Sequence, residues 1–282
     1  MTGQLTWLVT GCSSGLGEAL AHAILAKSSP PLAQKGASGV ERLASLKEAG
    51  AAVLELDVTE PQEVLNQKAK EAWNIYGHVD VLVNNAGYIN AGTVEEIDEQ
   101  FLTNALRNNI FGPLNLTRAF LPLMRARQTG TLLFMSSVGA YYGAPGAASY
   151  SGSKGPLEGL IPNLALEVAP LGLRTCLLTP GYFRTKVMTP GNILYRAPHP
   201  LPEYAEMNKR IQAGCNAADG NQPGDPKKAA ALIVEAVRGE GRCEGKTLPL
   251  GPDGFRAVRN NCQEKLKICD EWEEIMSQTN LE

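Results

Sequence analysis

The 282-residue chain reads as an α/β protein: a doubly wound parallel sheet with helices on both faces, in a single domain. Three observations carry that reading. Short apolar runs alternate with longer stretches of helical spacing. The runs are unbroken and rich in Leu and Val, as strands buried on both faces are. A glycine-rich turn joins the first run to the first helical stretch, the usual entry to such a sheet.

Taken in order, the runs are Thr6–Thr10, Ala52–Leu56, Val79–Val83, Thr131–Met135 and Arg174–Leu178. Helical spacing marks Leu16–Ala26, Val40–Ala49, Gln62–Tyr76, Glu99–Arg127 and Ser149–Val168. After Pro180 the pattern loosens into a Pro-, Gly- and Asn-rich stretch, Thr189–Asp225, too irregular for an assigned element. A helix over Pro226–Arg238, a turn-rich patch over Leu248–Gly254 and a charged helical tail to Glu282 complete the chain. Residues 1–187 are expected to carry cofactor binding and catalysis, 188–225 a substrate loop, and 226–282 a helical end.

Composition narrows the function classes. A net charge of −3 offers no electrostatic footprint for nucleic acid. With 20% charged residues and a mean hydropathy of −0.14, neither disorder nor a polytopic membrane protein fits. The charge-free stretch Gln128–Ser153 is long enough to span a bilayer, but its Gly, Ser and Tyr content and Pro145 argue against a membrane helix. Six cysteines without a CxxC pair, and three histidines on separate elements, signal neither a disulfide framework nor a metal site. A reduced, cytoplasmic protein is the expectation. The 29 glycines, about a tenth of the chain where about 7% is usual, mean that several positions need a bare Cα.

Some of those positions can be named. Thr10-Gly-Cys-Ser-Ser-Gly-Leu-Gly17 leads directly into a helix. Glycines at 11, 15 and 17 permit a tight turn and close approach of the backbone to a pyrophosphate. The helix N-terminus that follows favours the negative charge. Asp57 closes one strand and Asn84-Asn-Ala-Gly87 the next, where ligands of open parallel sheets bind. Asp57 is placed to hydrogen-bond an adenine amine, and Asn85-Ala86-Gly87 to lie alongside a ribose. Tyr150 and Lys154, four apart on a helical stretch, share a face. An ammonium beside a phenol would lower its pKa from about 10 and make it a usable proton donor and acceptor. Tyr182 and Lys186 match the same spacing, but in a loop after Thr179-Pro-Gly181. Only the Tyr150 pair has a serine, Ser137, at a strand end thirteen residues upstream.

These motifs, with Asn109 in Asn-Asn-Ile-Phe-Gly and Pro180-Gly181-xxx-Thr185, occur in one order over about residues 5–187. In this the chain resembles the short-chain dehydrogenase/reductase family, in its shorter single-domain branch. The resemblance implies a Rossmann-type sheet, a nicotinamide cofactor, and a catalytic set of Asn109, Ser137, Tyr150 and Lys154. It extends cofactor contacts to Gly11, Ser13, Gly15, Leu16, Gly17, Asp57, Val58, Asn85, Ala86 and Gly87. Further along it adds Tyr150, Lys154, Pro180, Gly181, Phe183 and Thr185. By the same likeness Lys154 binds the nicotinamide ribose and Asn109 anchors a water linking Lys154 to solvent. Ser136 is the neighbouring alternative to Ser137; strand alternation sends the two to opposite faces, so only one can serve. Pairing through the helices that carry Asn109 and Tyr150, into a homodimer or homotetramer, is also implied.

Two stretches depart from the family pattern. Where a second strand belongs, the chain reads Lys27-Ser-Ser-Pro-Pro-Leu-Ala-Gln-Lys-Gly-Ala-Ser-Gly39, which suits a short strand near Leu32–Lys35 or an irregular loop equally. No carboxylate lies between Glu18 and Glu41 to hold an adenosine 2′-hydroxyl, and Lys35 could meet a 2′-phosphate. NADP is therefore favoured, with NAD still compatible. Pro156 and Pro162 fall in the Tyr150 helix, where a kink is expected, held by burial of Leu157, Leu160, Leu164 and Leu166.

The leading function is reversible reduction of a ketone on a lipophilic small molecule such as a steroid, retinoid, polyketide or terpenoid, with a place in secondary metabolism. The pocket is expected from Tyr88, Tyr141, Tyr142, Met188, Ile193, Leu194, Tyr195 and Met207, an apolar set without clustered cations. The alternatives are a catalytically silent protein of the same fold, or a non-redox reaction with Tyr150 as base.

Overall fold

Alternate residues of the central strands enter two separate cores, and this places the sheet between two helical layers. Trp7 and Val9 pack into one core and Leu8 into the other; Leu133 and Met135 face the first, Leu132 and Phe134 the second. The computed structural model describes residues 4–27, 31–35 (main chain only), 43–189, 192–193, 198–239 and 246–281. Its strands are β1 (Trp7–Val9), β2 (Pro31–Lys35), β3 (Ala52–Glu55), β4 (Val81–Asn84), β5 (Gly130–Met135), β6 (Leu173–Pro180) and β7 (Lys246–Leu250). All pair in parallel, in the order β3-β2-β1-β4-β5-β6-β7. The order reverses between β1 and β4, so a crevice opens beyond their carboxyl ends.

The helices are α1 (Gly15–Ala26), α2 (Ala44–Glu48), α3 (Gln62–Tyr76), α4 (Glu99–Leu106), α5 (Gly112–Arg127), α6 (Ala148–Val168), α7 (Ala205–Ala218), α8 (Pro226–Arg238) and α9 (Pro252–Met276). Residues of α1, α2 and α8 complete the first core, and those of α3, α5 and α6 the second. Among the described residues no helix is long and apolar enough to cross a membrane.

Several expectations are corrected. The doubtful second strand forms: Pro31–Lys35 lies between β1 and β3, with Pro31 at its first residue, where a missing N–H is tolerated. The turn-rich patch begins as a strand, β7, because Pro249 opposite Thr179 sits on the outermost strand and interrupts no second ladder. The loosened stretch 189–225 contains a helix, α7. The single helix expected over 99–127 carries a π-turn at Arg107–Phe111. Pro113, four residues beyond Asn109, has no N–H to close an ordinary turn there, and the wider turn accommodates it.

Helix α6 runs without interruption through both prolines. Pro156 and Pro162 lie on its exposed side, so water can reach the carbonyl of Gly152 that Pro156 leaves unpaired. Its buried residues include Leu157, Ile161 and Val168, whereas Leu160 and Leu166 stand exposed; the periodicity had placed the apolar face slightly off.

Candidate active site

The glycine-rich turn after β1 is built for close contact. Gly11 and Gly15 adopt φ of +72° and +66°, a region that disfavours side chains. A Cβ on Gly17 would fall 2.3 Å from the Gly11 carbonyl oxygen, so α1 can pack this closely only without one. Ser14 caps α1 without using its side chain, leaving first-turn N–H groups directed at the crevice. From β4, Asn85 braces the turn: its Nδ2 donates to the Thr10 carbonyl at 2.8 Å, and Asn85 N and Ala86 N both donate to Thr10 Oγ1 at 2.9 Å. Bare backbone, a helix N-terminus and excluded side chains fit a dinucleotide pyrophosphate.

That turn opens into a cavity of about 490 Å³. Gly11, Ser13, Gly15, Leu16, Gly17, Asn85, Ala86 and Gly87 line it. So do Ser137, Tyr150, Lys154, Pro180, Gly181, Phe183 and Thr185. Three residues from the predicted set are not in this lining. Asp57 is exposed beyond β3 and accepts from Thr59 N and Oγ1 at 2.9 and 2.8 Å. Val58 is buried against Gly112. Asn109 sits behind the wall in the π-turn, its Nδ2 donating to Ser153 Oγ at 2.8 Å.

Ser137 and Tyr150 converge over Gly139. A Cβ built there would meet Tyr150 Cε1 at 3.4 Å and Ser137 Oγ at 3.5 Å. Over Gly87 a Cβ would meet Asn109 Oδ1 at 3.0 Å and Lys154 Nζ at 3.5 Å. Ser136, the neighbouring alternative, also lines the cavity, but its hydroxyl donates to Glu158 Oε1 at 2.7 Å. The Tyr141 hydroxyl donates to the other Glu158 oxygen at 2.7 Å, and Thr179 Oγ1 to Oε1 at 3.3 Å. Glu158 thus ties β5, β6 and α6 together behind Ser137. Four residues after Lys154 on the same helix, it had a sequence signal only in that spacing.

The electrostatics differ from the sequence expectation. Burial pushes the Tyr150 phenol above its ordinary value, the Ser137 hydroxyl draws it part of the way back, and Tyr182 raises it further. Lys154 does not pull it down; its Nζ donates to the Met135 carbonyl at 2.8 Å. Burial lowers the Lys154 ammonium itself to about 8, because a charge is disfavoured away from water. At neutral pH Tyr150 is therefore protonated, in the form that donates.

Of the expected pocket residues, Tyr88, Tyr142, Met188 and Ile193 line the cavity. Tyr141 turns to Glu158, Met207 is exposed on α7, and Leu194 and Tyr195 lie outside the described residues, as does the Lys35 side chain. Ile211 and Cys215 of α7 complete the lining instead, with Tyr182, whose hydroxyl meets that of Tyr142.

What holds α7 there is Glu96, which sequence reasoning missed. Its fully buried carboxylate accepts from Thr93 Oγ1 at 2.7 Å, from Leu201 N at 3.0 Å and from Asn208 Nδ2 at 2.9 Å. Burial pushes this carboxyl up, but the hydrogen bonds from Thr93, Asn208 and Leu201 together outweigh it and hold its pKa below the usual range. A carboxylate depressed by folding stabilises above its unfolded pKa and loses that contribution as pH falls through the folded one, so the latch is intact at neutral pH. Glu96→Ala leaves three donors without their acceptor, at roughly 1–3 kcal/mol. The expected result is a raised KM for apolar substrates and faster proteolysis within residues 198–218. Unchanged KM and cleavage rates, measured by kinetics and mass spectrometry, would show that Glu96 does not hold α7.

Comparison with known proteins agrees with this geometry. Residues 6–192 match the family model described as short chain dehydrogenase. The oxidoreductase BOA17 of Botryotinia fuckeliana is 32% identical over 275 residues, 95% of this chain and 97% of that protein. A 3-ketodihydrosphingosine reductase of Bacteroides thetaiotaomicron is 35% identical over 180 residues, 63% of this chain and 64% of its own. The crystal structure of a short-chain dehydrogenase from Streptomyces avermitilis superposes with a TM-score of 0.87 at 35% identity, covering 99% of this chain and all of that one. With the glycine turn, the Asn-Asn-Ala-Gly segment and the Ser137–Tyr150–Lys154 cluster in one cavity, the chain belongs to the short-chain dehydrogenase/reductase family of oxidoreductases.

Proposed function

We propose that the protein is an NADP(H)-dependent oxidoreductase that interconverts a ketone and a secondary alcohol on a lipophilic small molecule. The observation that carries this reading is the convergence of Ser137 and Tyr150 in the same cavity that the glycine-rich turn lines. A nicotinamide dinucleotide, when bound, supplies or accepts the two reducing electrons. Ser137 donates a hydrogen bond to the substrate oxygen and orients it. Tyr150, kept protonated by burial, gives its proton to that oxygen as charge develops, and in the reverse direction takes one from the alcohol. Lys154, which lines the cavity beside Gly87, would hold the cofactor ribose, and Asn109 behind it would anchor a water that passes protons towards solvent.

The apolar lining from Met188, Ile193 and Ile211 supports a lipophilic substrate. So does the name of the Bacteroides relative, a reductase of a ketone on a long-chain base. The absence of any carboxylate between Glu18 and Glu41 supports NADP over NAD, since no residue of that stretch would repel a 2′-phosphate. Association through the exposed side of α6, which carries Leu160 and Leu166, would give the family's dimer or tetramer.

Titration of the purified protein with NADPH and NADH, followed by nicotinamide fluorescence, tests the cofactor assignment, and a panel of hydrophobic ketones tests turnover. Tighter NADPH binding with ketone-dependent loss of absorbance is expected. Binding of neither nucleotide would sink the reading; tight binding without turnover on any ketone would identify a silent member of the family.

A further inference from the structure

Helix α9 leaves the body of the protein with an apolar face that none of the described residues covers. Its first turns are anchored, with Gly254 buried, the Asp253 carboxylate accepting from Tyr182 N, and Asn261 Nδ2 donating to the Tyr141 carbonyl at 2.7 Å. From Cys262 to Met276 every residue is exposed. Over that length Leu266, Ile268, Cys269, Trp272, Ile275 and Met276 fall on one half of the helix, interrupted there by Lys265 and Glu273. Glu264, Lys267, Asp270, Glu271 and Glu274 fall on the other, where Lys267 and Glu271 pair at 3.6 Å. Leu266, Trp272 and Met276 are 63%, 52% and 66% exposed, large apolar side chains of the kind that mark an interaction surface when grouped.

The spacing is that of a helix pair. Phe255, Cys262, Cys269 and Met276 recur at seven residues, and Val258, Lys265 and Trp272 form the second seven-residue series between them, the pattern of facing positions in a coiled coil. The charge is divided along the axis. Residues 256–267 carry Arg256, Arg259, Lys265 and Lys267 against Glu264, while 268–276 carry Asp270, Glu271, Glu273 and Glu274 and no basic residue. Such a helix repels a parallel copy and complements an antiparallel one. Its acidic distal half also opposes docking on an anionic membrane surface.

We propose that α9 is a self-association surface, pairing antiparallel with α9 of a second copy of this chain. With Leu266 near the two-fold axis, Arg259 of each copy comes opposite Glu273 of the other. Trp272 and Cys262 share the apolar seam, and Lys265, the one charge in the two series, fixes register as a polar seam residue does. The pairing is isologous, as closed two-fold assemblies require, and uses none of the residues that line the catalytic cavity.

Sedimentation of the full-length protein tests this, with turnover and circular dichroism confirming that each variant is folded. Wild type should show a concentration-dependent association step. Trp272→Glu, Arg259→Glu and Glu273→Arg should each weaken that step by about tenfold or more, near 1.4 kcal/mol. The double variant Arg259→Glu with Glu273→Arg should return towards wild type, because it restores both cross-pairs with signs exchanged. Absence of any association in wild type, no response to Trp272→Glu, or failure of the double variant to recover overturns the proposal. So does binding of the monomer to phosphatidylserine vesicles through Trp272.

Discussion

Tyr150→Phe is expected to lower kcat by about 10²–10⁴-fold, the usual share of a positioned acid–base group, while nicotinamide-fluorescence titrations stay as in wild type. The structure separates the two effects. The ring of Tyr150 packs near Gly139 and Ser137, and phenylalanine preserves that packing. What is lost is the buried phenol hydroxyl that, in the proposed mechanism, hands a proton to the substrate oxygen. Ser137→Ala should fall in the same direction by less, since it removes an orienting hydrogen bond and leaves the proton donor. If Tyr150→Phe turns over ketone at the wild-type rate, the proton comes from elsewhere, and the assignment of Tyr150 fails.

Gly17→Ala should damage nucleotide binding severely for so small a change. The added methyl would lie 2.3 Å from the Gly11 carbonyl oxygen and 2.5 Å from Asn85 Nδ2. Neither can yield easily: Gly11 holds a left-handed turn, and the Asn85 amide is tied to the Thr10 and Gly11 carbonyls. Helix α1 must therefore retreat from β1, at a cost of roughly 1–3 kcal/mol for overpacking, and its N-terminus moves away from the pyrophosphate position. Loss of measurable dinucleotide binding together with a lower Tm is the expected outcome. Gly159→Ala is the control. It is exposed in the middle of α6 with nothing within 4 Å of the new methyl, so it should stabilise by roughly 0.5–1 kcal/mol. Nucleotide binding by Gly17→Ala at wild-type affinity would contradict the packing argument.

Much of the site was legible because its parts are short and local. The Thr10–Gly17 turn, Asn84–Gly87, and Tyr150 with Lys154 each lie within a few residues, and each encodes its own backbone geometry or shared face. Strand alternation expects Ser136 and Ser137 to face opposite ways, yet both line the cavity; what distinguishes them is that the Ser136 hydroxyl is engaged by Glu158, 22 residues away. The electrostatic expectation at Tyr150 was wrong in sign for a related reason. Spacing places a lysine on the same face as a tyrosine, but it does not show that the ammonium turns to Met135 or how deeply both are buried.

The chain's local chemistry was enough to specify a parallel α/β sheet, its glycine turn and the residues proposed to meet a reacting carbonyl, since strand alternation, helical period and positive-φ glycines act over a few neighbours. Three-dimensional packing settled what depends on distant partners. Pro31–Lys35 is a strand because β1 and β3 pair with it on both sides. Leu248–Leu250 extends the sheet because β6 offers an edge. The pocket wall at Ile211 and Cys215 stands where it does because Glu96 binds Asn208 across 112 positions of sequence. A hydrogen bond across that distance leaves no period in the residues on either side of it.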